Sequence, residues 1–306
     1  MNHVSFFWLP QNKQAIFQSI ENEFTQFLDA SINNGKFLLP PIPAVVLDIQ
    51  TLCTMEQTTT KDVADCLIDD PSLTAVVLRI ANTVIFNRRG VSFTDIHTAI
   101  SRLGIFRVRD IVTAQSIEQL KYCVSLDNNG GKLLRESATH SRELGATMVL
   151  VCRQFHSINS AKYAYLEQDK ALLVGLLADI GLFCILSEYH LFIEQGNYIN
   201  QDLTNPLFEA LCPKASYQVL KKWGFDEDFL SVATNTERSS KKRPVSYLDI
   251  ARIAYYLLLF RKQDEQLEQH EIEFNTDGAE VLYALSNVSD AEFNASIRDI
   301  LNNTGF

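Results

Sequence analysis

The chain has 306 residues, 27 basic and 37 acidic, for a formal net charge of −10, and 46% of it is hydrophobic. That much apolar material excludes a disordered chain, and the acidic balance argues against nonspecific nucleic-acid binding, which needs a basic field to displace counterions. Twelve glycines and eight prolines are about half the usual share; so few turn formers point to a helical protein, because strand-rich folds need many tight turns.

In chain order, residues 13–32 place Ile16, Phe17, Ile20, Phe24, Phe27 and Leu28 on one helical face. Three prolines within Pro40–Pro43 forbid helix and force an extended entry. Pro43 then suits the first turn of a helix carrying Val46, Leu47, Ile49 and Leu52. Thr58 to Thr60 with Asp62 predict a capped helix running to about Ile68. Asp70-Pro71 reads as a cap and first-turn proline. Behind it, Leu73, Val76, Val77, Ile80, Ala81 and Val84 form a wide apolar stripe.

Ile96, Ala99, Ile100 and Leu103 predict the next helix, stopped by Gly104. A further helix covers about 106–122. Ser125 to Gly131 then breaks the pattern and marks the internal boundary. Beyond it, helices are predicted at about 132–156 (Leu134, Leu144, Met148, Val151, Cys152 and Phe155 inward), 168–188, 205–222, 226–235, 246–262 and 277–302. The organisation is therefore two packed helical lobes, 13–123 and 132–306, joined by a linker at 124–131.

The six cysteines show no Cys-x-x-Cys spacing and mostly sit in apolar runs, as buried thiols of a reducing cytoplasm do. The N-terminus lacks the features of a signal peptide. The apolar run Ala171 to Ser187 contains Asp179 and two glycines, so it reads as a buried helix and not a membrane span. Arg238, Lys241, Lys242 and Arg243 read as a solvated loop, and Arg102, Arg107 and Arg109 as solvated helix faces.

Four segments in this order, Leu39-Pro40-Pro41-Ile42-Pro43-Ala44, Asp69-Asp70-Pro71-Ser72-Leu73-Thr74, Leu78-Arg79-Ile80-Ala81-Asn82-Thr83 and Thr98-Ala99-Ile100-Ser101-Arg102-Leu103-Gly104, resemble the HDOD family. This family is a bacterial, all-helical relative of the HD metal-dependent phosphohydrolases. The resemblance extends over about 37–260 and implies an all-α HDOD/HD-like fold. It also aligns Val174 to Gly181 with the segment in which HD enzymes carry adjacent metal ligands. His140 matches the first histidine of that pattern and Asp179 its aspartate. Ala178 stands where the paired histidine belongs, Ala233 to Glu237 carry no histidine, and Tyr255 stands where a last acidic ligand is expected. Two remaining ligands would hold a divalent ion weakly, with water completing its shell.

The resemblance thus implies no catalytic residue and no required cofactor, only weak divalent metal binding. It implies a regulatory, signal-transduction module acting in the cytoplasm through a protein partner or a small ligand, as a monomer or homo-oligomer. The alternative is a divergent metal-dependent phosphohydrolase acting on a nucleotide or phosphate ester. His140, Asp179, Asn82 and Arg79 are the candidate ligand or structural polar positions. Asp179, between Leu177 and Ile180, is expected to be at least partly buried and satisfied by His140 or by backbone N–H groups, with His140 within hydrogen-bond reach or one water away. Asn82 is expected to tie its helix to the loop at 87–92.

Overall fold

The computed structural model of the protein describes residues 23–87, 90–123, 128–199, 201–235, 244–269 and 276–306. The Arg238–Arg243 cluster and the first half of the helix predicted at 13–32 lie outside these residues. The described chain is helical, with no strand among those residues. The helices are α1 (Glu23–Asn33), α2 (Ala44–Thr54), α3 (Thr60–Ile68), α4 (Pro71–Ala81), α5 (Ile96–Leu103), α6 (Ile105–Cys123) and α7 (Asn128–Ile158). They continue as α8 (Gln168–Leu177), α9 (Gly181–Glu194), α10 (Gln201–Lys222), α11 (Glu227–Thr234), α12 (Tyr247–Lys262), α13 (Thr276–Ser286) and α14 (Asp290–Thr304), with a 3₁₀ turn at Glu265–Gln269.

Local chemistry explains most of the boundaries. Thr59 accepts the Asp62 N–H while the Asp62 carboxylate accepts the Thr59 N–H, so two otherwise unmet donors are satisfied at the start of α3. Asp70 caps α4 by accepting the Leu73 N–H, and Pro71 occupies the first turn. Pro43, by contrast, is the extended residue just before α2, not part of its first turn. Gly104 adopts φ 82°, which ends α5 and lets α6 begin at once.

Four boundaries differ from the sequence expectation. The apolar stripe of α4 stops at Ala81, and Val84 lies outside the helix and 80% exposed. The Asn82 side chain takes the chain elsewhere, as its bonds below show. Asn128–Gly131, expected as part of a linker, instead open α7. Gly-rich sequence there is outweighed by a 31-residue helix whose remainder is anchored in the core. The helix expected at 168–188 is two helices, broken at Ala178–Ile180. The last one, expected at 277–302, is also two, because Ser289 accepts the Glu292 N–H and starts α14.

The long helix α7, roughly 46 Å by helical rise, is the axis of the molecule. It packs against α6, α8, α12, α13 and α14. Helices α2 to α6 form the N-terminal group, and α14 reaches back to touch α4. One core runs through both groups. The stretch Gln168–Glu194 has the length and apolarity of a membrane span, yet 94% of its most apolar window is buried inside this fold.

The N-terminal group is held to the rest by arginines expected to be solvated. Arg107 pairs with Glu167 at 2.7 Å and Asp169 at 3.0 Å. Arg109 is buried, pairs with Asp110 at 2.7 Å, donates to the Gly224 carbonyl at 2.7 Å and lies over the Phe225 ring. Only Arg102 of the three is exposed. Sequence periodicity cannot see that the second lobe supplies the acids of Arg107 and the carbonyl that Arg109 meets. Elsewhere the buried Glu188 carboxylate of α9 accepts from Ser31 Oγ and the Leu38 N–H, both at 2.9 Å. All six cysteines are free. Cys53, Cys152, Cys184 and Cys212 are buried, while Cys66 is half-buried and Cys123 exposed.

Candidate functional site

Asp179 sits in the break between α8 and α9, 1% exposed. The break exists because the backbone there is captured by α10. The Gly181 N–H donates to Ser216 Oγ at 2.9 Å, and Cys212 Sγ lies 3.8 Å from the Asp179 carbonyl. The Asp179 carboxylate does not bond to His140. Its partner is Lys121 of α6, whose Nζ lies 2.9 Å from Oδ1. Ser141 Oγ lies 2.8 Å from the same oxygen and 2.7 Å from the Ser137 carbonyl, so its one proton serves two acceptors. Ser137 donates to Oδ2. Lys121 Nζ also donates to Ser141 Oγ at 2.8 Å.

Every member of this centre is enclosed. Lys121, Ser137, Ser141 and Asp179 all count among the most buried polar residues of the chain. A buried carboxylate without a counter-charge is costly, and an ammonium with two hydroxyls neutralises it fully. A lysine on a serine hydroxyl is the arrangement of an activated nucleophile. Here both serines are wholly buried, and their hydroxyls face the Asp179 carboxylate.

The residues that build the centre do carry a sequence signal. Leu134, Ser137, Ala138, Ser141, Leu144 and Met148 fall on one helical stripe of α7, and all are buried. The two serines are polar intrusions on that stripe. Lys121 likewise falls four residues after the buried Ile117, on the core face of α6. A lysine in a core position needs a carboxylate, and Asp179 is it.

Glu118, one turn before Lys121, extends the network. Its carboxylate lies 3.9 Å from Lys121 Nζ and 3.9 Å from Arg142 Nε. Burial dominates and pushes it up to about 7, although Lys121 and Arg142 pull the other way. The folded protein therefore retains a proton that the unfolded chain releases. The stability this contributes is complete below about pH 4.5 and is lost as pH rises through about 7. In Glu118→Gln the stability should be flatter across that window, read as the urea midpoint against pH. A slope identical to that of the native chain would show that Glu118 does not titrate there.

His140 lies one residue from Ser141 but opens the other way. It forms part of the wall of a cavity with Lys132, Arg135, Glu136, Thr139 and Lys262. Burial first, then the Lys262 ammonium, hold its imidazole below the usual range, while Glu143 and Asp179 act in the opposite direction. The structure thus brings His140 and Asp179 into one region, but the groups bonded to the Asp179 carboxylate are Lys121, Ser137 and Ser141.

Asn82 and Arg79 belong elsewhere. Asn82 Nδ2 donates to the carbonyls of Leu78 at 2.8 Å and Phe93 at 2.9 Å, and Oδ1 accepts the Phe93 N–H at 2.7 Å. It ties the end of α4 to the loop before α5, at Phe93 and not within 87–92. Arg79 Nη2 reaches the Gly305 carbonyl at 3.4 Å. Asn82→Ala should cost about 1–3 kcal/mol, since it strands the Phe93 amide group. Thermal unfolding measures this, and a Tm equal to that of the native chain would refute the tie.

A divalent metal does not fit the Asp179 centre. The cation position beside the carboxylate is held by Lys121 Nζ, Ala178 offers a methyl group, and Tyr255 is buried in the core. Asn235 caps α11 in the left-handed region and accepts from Arg252 Nε at 2.9 Å. Among the described residues no group of three or more His, Cys, Asp or Glu side chains converges to hold a metal.

Comparison with known proteins agrees with this architecture. The HDOD domain family model matches residues 39–239. A crystal structure of a proposed metal-dependent phosphohydrolase from Shewanella amazonensis SB2B aligns over 96% of this chain and 99% of its own, with a TM-score of 0.66 and 20% identity. An HDOD domain protein from Geobacter sulfurreducens aligns over 96% of this chain and 97% of its own, at 17% identity and a TM-score of 0.45. A proposed signal transduction protein from Marinobacter aquaeolei VT8 aligns over 99% of this chain and 68% of its own, at 15% identity and a TM-score of 0.48. At 20% identity the likeness to the first of these is one of fold. No curated protein sequence matches the chain. With the family model spanning about two thirds of its length and an all-helical fold to match, the chain belongs to the HDOD domain family.

Proposed function

We propose that this protein is a non-catalytic regulatory module of the HDOD type, working in signal transduction through a protein partner or a small ligand. The observation that carries this reading is the enclosure of Asp179. The aspartate that a metal-dependent relative would use is turned into the core and neutralised by Lys121, Ser137 and Ser141. A metallohydrolase needs an open coordination position and a water that substrate can meet; a sealed ion pair supplies neither. The six free thiols support a reducing compartment, in keeping with cytoplasmic signalling.

Metal analysis of the purified protein, combined with phosphatase assays on p-nitrophenyl phosphate, its bis-ester and nucleotides with added Mn²⁺, Fe²⁺ or Mg²⁺, tests the reading. The expected result is far less than one metal per chain and no metal-stimulated turnover. Near-stoichiometric transition metal with turnover that disappears in His140→Ala would establish the phosphohydrolase instead.

A further inference from the structure

We propose that the cavity beside His140 binds a small phosphorylated molecule. The proposal rests on the regulatory reading above and names the class of its ligand. The cavity measures about 510 Å³ and is lined by Lys132, Arg135, Glu136, Thr139 and His140 of α7 and by Lys262 of α12. The five α7 residues fall at offsets 0, 3, 4, 7 and 8, so one helical face presents them all. This face adjoins the stripe of α7 that carries Ser137 and Ser141, so its occupant would bear on the helix that closes the buried centre.

Charge selects an anion. Three cations meet in a chain whose net charge is −10. Lys132 is only loosely paired with Glu136, at 3.8 Å, and Lys262 lies 2.5 Å from Glu143. Arg135 is exposed and has no acidic partner among the described residues. Its planar guanidinium offers two parallel donors, the geometry that suits phosphate oxygens. Thr139, whose hydroxyl donates to the Arg135 carbonyl at 3.2 Å, and His140 complete the same wall. A volume of this size exceeds that of a bare phosphate ion and falls in the range of sites for organic ligands.

The test uses the full chain, calorimetric titration with inorganic pyrophosphate and with adenosine diphosphate, and citrate as the carboxylate control. The proposal expects saturable binding of both phosphorylated probes and a shift of the His140 imidazole signals in NMR. It expects a loss of about tenfold or more in affinity in Arg135→Gln and in Lys262→Gln, and no loss in Lys222→Gln, an exposed lysine of α10. Arg135 is a surface residue, so its variant should keep the native Tm, which is checked alongside. Absence of saturation up to about 10 mM, equal losses in Lys222→Gln, or citrate binding as tightly as pyrophosphate would each overturn the proposal. Metal-dependent hydrolysis of the bound probe would overturn the non-catalytic reading while leaving the site in place; absence of binding would remove the site and leave that reading untouched.

Discussion

Replacing Lys121 by methionine should destabilise the protein by about 3–5 kcal/mol, the usual penalty for stranding one member of a buried ion pair. Methionine keeps the length of the stem and removes the ammonium. Asp179, 1% exposed, then retains only Ser137 and Ser141 as donors. Two hydroxyls do not offset a full negative charge in the interior, so the stranded carboxylate carries the cost. Total stability of a domain is about 5–15 kcal/mol, so this loss is a large part of it. The double variant Lys121→Met with Asp179→Asn removes both charges and should recover much of the deficit. Urea unfolding of the four proteins gives the coupling directly. A loss below about 1 kcal/mol in Lys121→Met, the scale of a surface pair, would mean that the ammonium does not neutralise Asp179.

The second large effect is expected at Gly181. A Cβ there would lie 2.2 Å from the Ser216 backbone nitrogen and 2.7 Å from both the Ala215 carbonyl carbon and the Cys212 carbonyl oxygen. All three are backbone atoms of α10, so no rotamer change relieves the contact. Alanine ordinarily favours helix over glycine by about 1 kcal/mol, and here that gain is overwhelmed. Helix α9 would have to move off α10, breaking the Gly181–Ser216 hydrogen bond and unsealing the turn that holds Asp179. The expected cost of Gly181→Ala is about 3 kcal/mol or more. Ser216→Ala removes only the hydrogen bond and should cost about 1–2 kcal/mol. Thermal unfolding compares them; equal Tm values would show that close backbone approach is not what Gly181 provides.

Much of the fold was readable in local chemistry. Asp70-Pro71, Thr59 with Asp62, and Gly104 each mark a helix end through groups within a few residues of it, so their signal survives in one dimension. The stripe over Leu134, Leu144, Met148, Val151, Cys152 and Phe155 is of the same kind, and all six are buried. Asn82 was also legible, because its bonds reach only as far as Phe93. The break at Ala178–Ile180 was not, since the groups that capture it, Ser216 and Cys212, come from α10.

What the sequence by itself determined is the helical class, the family resemblance and the need of Asp179 for a partner. Only the tertiary structure decided which partner that is. Lys121 lies 58 residues away on another helix, and an ion pair at 2.9 Å depends on how α6, α7 and the α8–α9 turn converge. The same holds for Arg107, whose acids Glu167 and Asp169 lie 60 and 62 residues away, and for the Gly224 carbonyl that Arg109 meets. Periodicity reports which face of a helix turns inward; which charge waits there is settled by packing.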